Sequence, residues 1–126
     1  MGNKITVIDD EEGLVNTIKN FLEERGFSVS FAYDGTSGVE VIKKEMPDVV
    51  ILDIMMPGKD GRDVLKELKE DTSTKDIPVI MLTAKAEQFD RDNVLAMGAY
   101  EYIVKPYDGY TLLRQIKNVL GKFGKE

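Results

Sequence analysis

The chain has no cysteine and no histidine among its 126 residues. Without cysteine there can be no disulfide, no thiolate metal site and no thiol nucleophile. Without histidine, the commonest zinc ligand and the commonest general base at neutral pH are both missing. The chain also has no imidazole on which to carry phosphate, so any phosphohistidine in its chemistry belongs to another protein. No apolar run approaches the ~20 residues needed to span a bilayer. The opening Met1-Gly2-Asn3-Lys4 lacks the apolar core of a secretory signal. A cytoplasmic location, with no membrane partner, is therefore the expectation. Positive charge is in deficit as well: 17 Lys and Arg against 23 Asp and Glu leave a formal net charge of −6. That balance argues against non-specific affinity for nucleic acid or anionic lipid.

What is present fits one ordinary globular domain spanning residues 1–126. We find no linker, repeat, low-complexity segment or DNA-binding output domain in it. Short apolar runs alternate with amphipathic stretches along the whole chain. Residues 4–8 (KITVI) read as a strand. Leu14, Val15, Ile18, Phe21 and Leu22 then recur at helical spacing from Glu12 to Arg25, before Gly26. Phe27–Ala32 is a weaker strand, and a turn at Asp34-Gly35 leads into a helix carrying Val39, Val41 and Ile42, ended by Pro47. Asp48–Asp53 (DVVILD) is almost continuously apolar, as a central parallel strand covered on both faces should be. The loop Pro57–Gly61 precedes a helix with Val64, Leu65 and Leu68. Ile77–Leu82 reads as a strand, Glu87–Met97 as a helix stopped by Gly98, Tyr100–Val104 as the fifth strand and Asp108–Leu120 as the last helix. Five strands alternating with five helices predict an α/β fold, doubly wound on a parallel sheet.

The polar residues at the strand ends carry the chemistry. Asp9 and Asp10 follow the first strand, Asp53 closes the third, Thr83 follows the fourth and Lys105 the fifth. In an open parallel sheet all five fall at the carboxyl edge, where such sheets bind ligands. Each alone has a commonplace use, since Asp and Thr cap helices and Lys is usually solvated. Five of them after four strands are hard to explain as coincidence. Clustered carboxylates repel unless a cation neutralises them. With only oxygen ligands on offer, that cation is a hard one such as Mg²⁺, with Mn²⁺ as a substitute. A carboxylate can also be a nucleophile toward phosphorus, with a metal, an ammonium and a hydroxyl stabilising the transferring group.

At this point the sequence resembles the bacterial two-component response regulator receiver domain, of the CheY-like superfamily, over nearly its whole length. VIDDEE (7–12), DVVILDIMMPGKDG (48–61), VIMLTAK (79–85) and GAYEYIVKPY (98–107) carry the resemblance. It implies a flavodoxin-like strand order 2-1-3-4-5 and a phosphorylation switch rather than an enzyme. In that reading Asp53 accepts the phosphoryl group in a Mg-dependent reaction. Asp10, Asp53 and the backbone carbonyl of Met55 hold Mg²⁺, with Asp9 assisting through water or by positioning. Lys105 pairs with the phosphoryl oxygens, Thr83 is drawn toward them, and Tyr102 follows inward. Lys105-Pro106 matches the family's cis peptide bond. Met55 and Lys85 tune the acyl phosphate's lifetime. The donor is a histidine kinase or histidine phosphotransfer protein, or a small acyl phosphate. The fourth helix, fifth strand and fifth helix form the surface that meets a downstream protein, with Tyr100, Tyr102, Tyr107 and Tyr110 as its candidates. The domain is a monomer or a phosphorylation-dependent dimer. Kinase specificity is expected on the first helix, at Asn16, Thr17, Asn20 and Glu23. Two other readings compete. An aspartate-nucleophile phosphatase of the haloacid-dehalogenase type would need a second Asp where Met55 stands. A scaffold that keeps the fold without the switch would not need the full set of switch residues. No Walker motif or Rossmann glycine fingerprint is present.

Overall fold

In the computed structural model, residues 3–84, 88–105 and 107–124 are described, with the backbone alone at 88–90. The elements are β1 (Lys4–Ile8), α1 (Glu12–Glu23), β2 (Ser28–Ala32), α2 (Gly35–Glu45), β3 (Val49–Asp53), α3 (Gly61–Glu70), β4 (Val79–Thr83), α4 (Gln88–Ala96), β5 (Glu101–Val104) and α5 (Gly109–Lys122). All strand pairs are parallel and the order is β2-β1-β3-β4-β5. The predicted doubly wound, flavodoxin-like α/β fold is thus the one observed.

Why the central strands are apolar throughout is visible in the packing. Successive side chains of a strand point to opposite faces. Val50 and Leu52 join Ile8, Val79, Met81 and Tyr102 under α2, α3 and α4. Val49 and Ile51 join Ile5, Val7, Ile80, Leu82 and Ile103 under α1 and α5. Both faces are covered, so β3 and β4 are buried at every position.

Local signals set most boundaries. Asp34, Asp60 and Asp108 cap α2, α3 and α5 by accepting backbone N–H groups at 2.7–3.1 Å. At Asp60 a reciprocal capping box forms with Asp63. α1 stops at Glu23, two residues short of the expected Arg25, because the chain is already turning into Gly26 at φ +93°. β4 begins at Val79 rather than Ile77: Pro78 has no N–H for the ladder, and only its carbonyl is used, by Val50 at 3.0 Å. The strand in turn extends one residue further and includes Thr83.

Candidate functional site

Three carboxylates meet at the carboxyl edge of the sheet. Asp9 is fully buried and Asp53 nearly so, whereas Asp10 is exposed. One oxygen from each lies within 4.8 Å of the others. Neither Asp9 nor Asp10 is the cap of α1; that position is Glu11, whose N–H donates to Asp9 Oδ1 at 3.0 Å. Lys105 reaches in from the end of β5 with its side chain only 14% exposed. Its ammonium lies 2.8 Å from Asp9 Oδ2, 3.1 Å from Glu11 Oε1 and 3.5 Å from Asp53 Oδ1.

The alternation of strand side chains explains who faces whom. Asp9 and Asp53 continue the odd-numbered positions of β1 and β3, and Lys105 those of β5, on the side of α1 and α5. Thr83 shares the opposite side with Met81, whose register partner is Tyr102. Charge therefore collects on one side of the strand ends, while Thr83 and Tyr102 sit toward α4. Both are buried. The two sides are stitched together by the Lys105 N–H, which donates to the Thr83 carbonyl at 2.6 Å.

Electrostatically the site is short of positive charge. Burial first, then repulsion from Asp9, pushes the Asp53 carboxyl up to about 7; Lys105 and the Met55 N–H pull it down, and Asp10 raises it further. Burial disfavours the Lys105 ammonium, yet Asp9, Asp53 and Glu11 more than offset this and hold it firmly charged. An all-oxygen donor set around a carboxyl that resists ionisation fits a hard divalent cation.

The loop after β3 is shaped by close backbone contact. A Cβ on Gly61 would sit 2.2 Å from the Asp53 carbonyl oxygen, so α3 starts hard against the phosphoacceptor candidate only because residue 61 has no side chain. Gly58 takes φ +73° in the same loop. Met55, whose N–H faces the Asp53 carboxylate, has a half-exposed side chain. A cavity of about 500 Å³ opens beside Lys105, lined by Glu11, Leu14, Ala84 and Tyr107.

Residues 5–117 match the model of the response regulator receiver domain. The chain belongs to that family. It is 38% identical over 123 residues to the regulatory protein VanRc of Enterococcus gallinarum, covering 98% of this chain and 52% of that protein. The receiver thus spans about half the length of this curated relative. Among solved structures, CheY4 of Vibrio cholerae superposes with a TM-score of 0.90 at 28% identity, over 95% of this chain and all of that one. A receiver domain from Clostridium thermocellum gives 0.89 at 34% identity over 97% of each chain. The BeF3-activated receiver of RstA from Klebsiella pneumoniae gives 0.86 at 32%, over 94% of this chain and 98% of that one. Receiver domains are phosphorylation switches of two-component systems that work with histidine kinases, and are not true enzymes. In this receiver the acidic pocket is Asp9, Asp10 and Asp53.

Not every expected residue lies in one place. Tyr100 packs edge-on against Phe123 near the far end of α5, with ring centroids 6.0 Å apart. Tyr110 faces α1, 5.4 Å from the Phe21 ring, and accepts from Arg25 at 3.2 Å. This contact exists because Gly109 leaves room for that ring, which a Cβ would meet at 2.8 Å. Tyr107 lines the cavity beside Lys105, and its buried hydroxyl finds no partner among the described residues. The four tyrosines, adjacent in sequence, thus divide among separate faces. Asn16, Thr17, Asn20 and Glu23 are all exposed on α1. Lys85 and the Lys105–Pro106 peptide bond lie outside the described residues, as does Glu87, the expected start of α4. The residue that sequence reasoning missed is Glu11. Its signal was the acidic run continuing past Asp10, but only the fold shows that Lys105 meets it. Among the described residues no helix is long and apolar enough to cross a membrane.

Proposed function

We propose that Asp53 of this receiver accepts a phosphoryl group from the phosphohistidine of a partner kinase or phosphotransfer protein. The observation that carries the reading is the convergence of Asp9, Asp10 and Asp53 with Lys105 at the edge of a parallel sheet. An Asp53 carboxylate oxygen attacks phosphorus, the N–P bond of the donor breaks, and the departing imidazole keeps its electron pair and takes up a proton. Asp10, Asp53 and the Met55 carbonyl would hold Mg²⁺, or Mn²⁺ in its place, with Asp9 acting through water. Bound there, the cation would offset charge on the transferring oxygens. Lys105 supplies the ammonium for the new phosphoryl group. Thr83 then moves toward it, and Tyr102, already turned inward and buried on the same side of the sheet, is held there. Partner affinity changes on the α4–β5–α5 surface. There Tyr100 remains a candidate contact, Tyr102 acts from beneath as a buried residue, and Tyr107 and Tyr110 are better placed to act near α1. The exposed α1 residues Asn16, Thr17, Asn20 and Glu23 are the proposed kinase contacts. A cytoplasmic location, and either a monomer or a phosphorylation-dependent dimer, complete the reading.

Incubation with acetyl phosphate and Mg²⁺ tests it. Hydroxylamine-sensitive label is expected on the wild type, and none on Asp53→Asn or when the metal is chelated. Undiminished label on Asp53→Asn would remove Asp53 from its role.

A further inference from the structure

The position of Lys105 has a consequence for the transfer step. An ammonium has three N–H donors. Two of them are engaged by Asp9 and Glu11, at 2.8 and 3.1 Å, while Asp53 Oδ1 lies at 3.5 Å. The Lys105 side chain is largely enclosed, so its head can shift only among these oxygens and whatever arrives over Asp53. Asp9 is buried and receives the Glu11 N–H, which holds it in place. Glu11 differs. Its side chain is 62% exposed, and it reaches Lys105 from the rim of the 500 Å³ cavity.

We propose that Glu11 is a positioning residue that competes with Asp53 for Lys105, holding the ammonium on the α1 side until a phosphoryl group displaces it. Asp9 anchors Lys105 in either state, whereas the Glu11 contact has to break for the ammonium to turn fully toward the phosphoryl oxygens. An exposed pair of this kind is weak enough to yield and strong enough to register in a rate. The 3.5 Å separation from Asp53 Oδ1, longer than those to Asp9 and Glu11, is in keeping with a lysine only partly committed to it. The inference rests on the phosphoacceptor role of Asp53.

The test is a double-mutant cycle on the rate of Mg-dependent phosphorylation by acetyl phosphate, with Glu11→Gln and Lys105→Ala singly and together. Glu11→Gln should raise the rate about two- to five-fold, the range an exposed ion pair allows. It should lower the urea midpoint by no more than an exposed ion pair is worth, and Glu11→Asp should return the rate toward wild type. In the Lys105→Ala background the same change should have no effect. An unchanged rate in Glu11→Gln, with wild type labelled at Asp53, would overturn the role of Glu11 alone. An equal gain with and without Lys105 would also overturn it, since Glu11 would then act directly on the incoming donor. Failure of the wild type to label would instead strike the phosphoacceptor reading.

Discussion

The Cβ that Gly61 lacks would fall 2.2 Å from the carbonyl oxygen of Asp53 and 2.8 Å from the Ile54 Cα. The first residue of α3 and the last residue of β3 are therefore in backbone contact, closed by the Gly61 N–H donating to the Ile54 carbonyl at 2.9 Å. Gly61→Ala should destabilise the domain by about 1–3 kcal/mol, the usual cost of forcing atoms into packed space. It should also slow phosphorylation, because the backbone that must give way carries Asp53. Urea denaturation and acetyl phosphate labelling measure the two effects; a variant of wild-type stability would mean the loop relaxes freely.

Asp53 should make stability depend on pH. Its folded carboxyl is pushed up to about 7, chiefly by burial and then by Asp9, against an ordinary value near 4. The folded state thus binds the proton more tightly than the unfolded state between those values, and stability falls as pH rises through that window. Asp53→Asn, which never ionises, should be more stable than wild type by on the order of 2 kcal/mol at pH 8 without divalent cation. The difference should fade toward pH 4. Urea midpoints across that range check the sign; a gain largest at low pH would contradict it.

Divalent cation should relieve the same strain. With Mg²⁺ at about ten times its dissociation constant, linkage gives about 1.4 kcal/mol of added stability. Asp10→Ala removes the exposed member of the trio and should abolish most of that gain, with little change in the metal-free protein. Thermal melts with and without Mg²⁺ read both outcomes. Equal stabilisation of the variant would place the ion elsewhere.

Tyr107 offers a test of a different kind. Its hydroxyl is buried beside the charged cluster with no partner among the described residues, and burial pushes its ionisation up. Removing an unsatisfied buried hydroxyl is favourable, so Tyr107→Phe should raise stability by about 1 kcal/mol. A loss of stability by calorimetry would show that the hydroxyl is satisfied after all.

Much of this receiver was legible in one dimension, for reasons tied to particular residues. The continuous run Val49–Leu52 requires two covered faces, which identifies a central parallel strand. Leu14, Val15, Ile18 and Leu22 mark the inner side of α1, and Asp34, Asp60 and Asp108 announce three helix starts. The errors were local. Val79 replaces Ile77 as the start of β4 because a ladder needs a donor that Pro78 lacks, and pattern reading weighs hydrophobicity ahead of hydrogen bonding.

The residue types and their strand-end positions followed from the sequence alone: Asp9, Asp10, Asp53, Thr83 and Lys105 had to share an edge once the strands were parallel. Only the tertiary structure decided how they pair. It put Lys105 between Asp9 and Glu11 with Asp53 slightly further off, set Thr83 on the side of Tyr102, and separated Tyr107 and Tyr110 from Tyr100. Periodicity says which face of its own element a side chain takes. Distances between elements depend on how two packed faces settle against each other, and that is a property of the whole core.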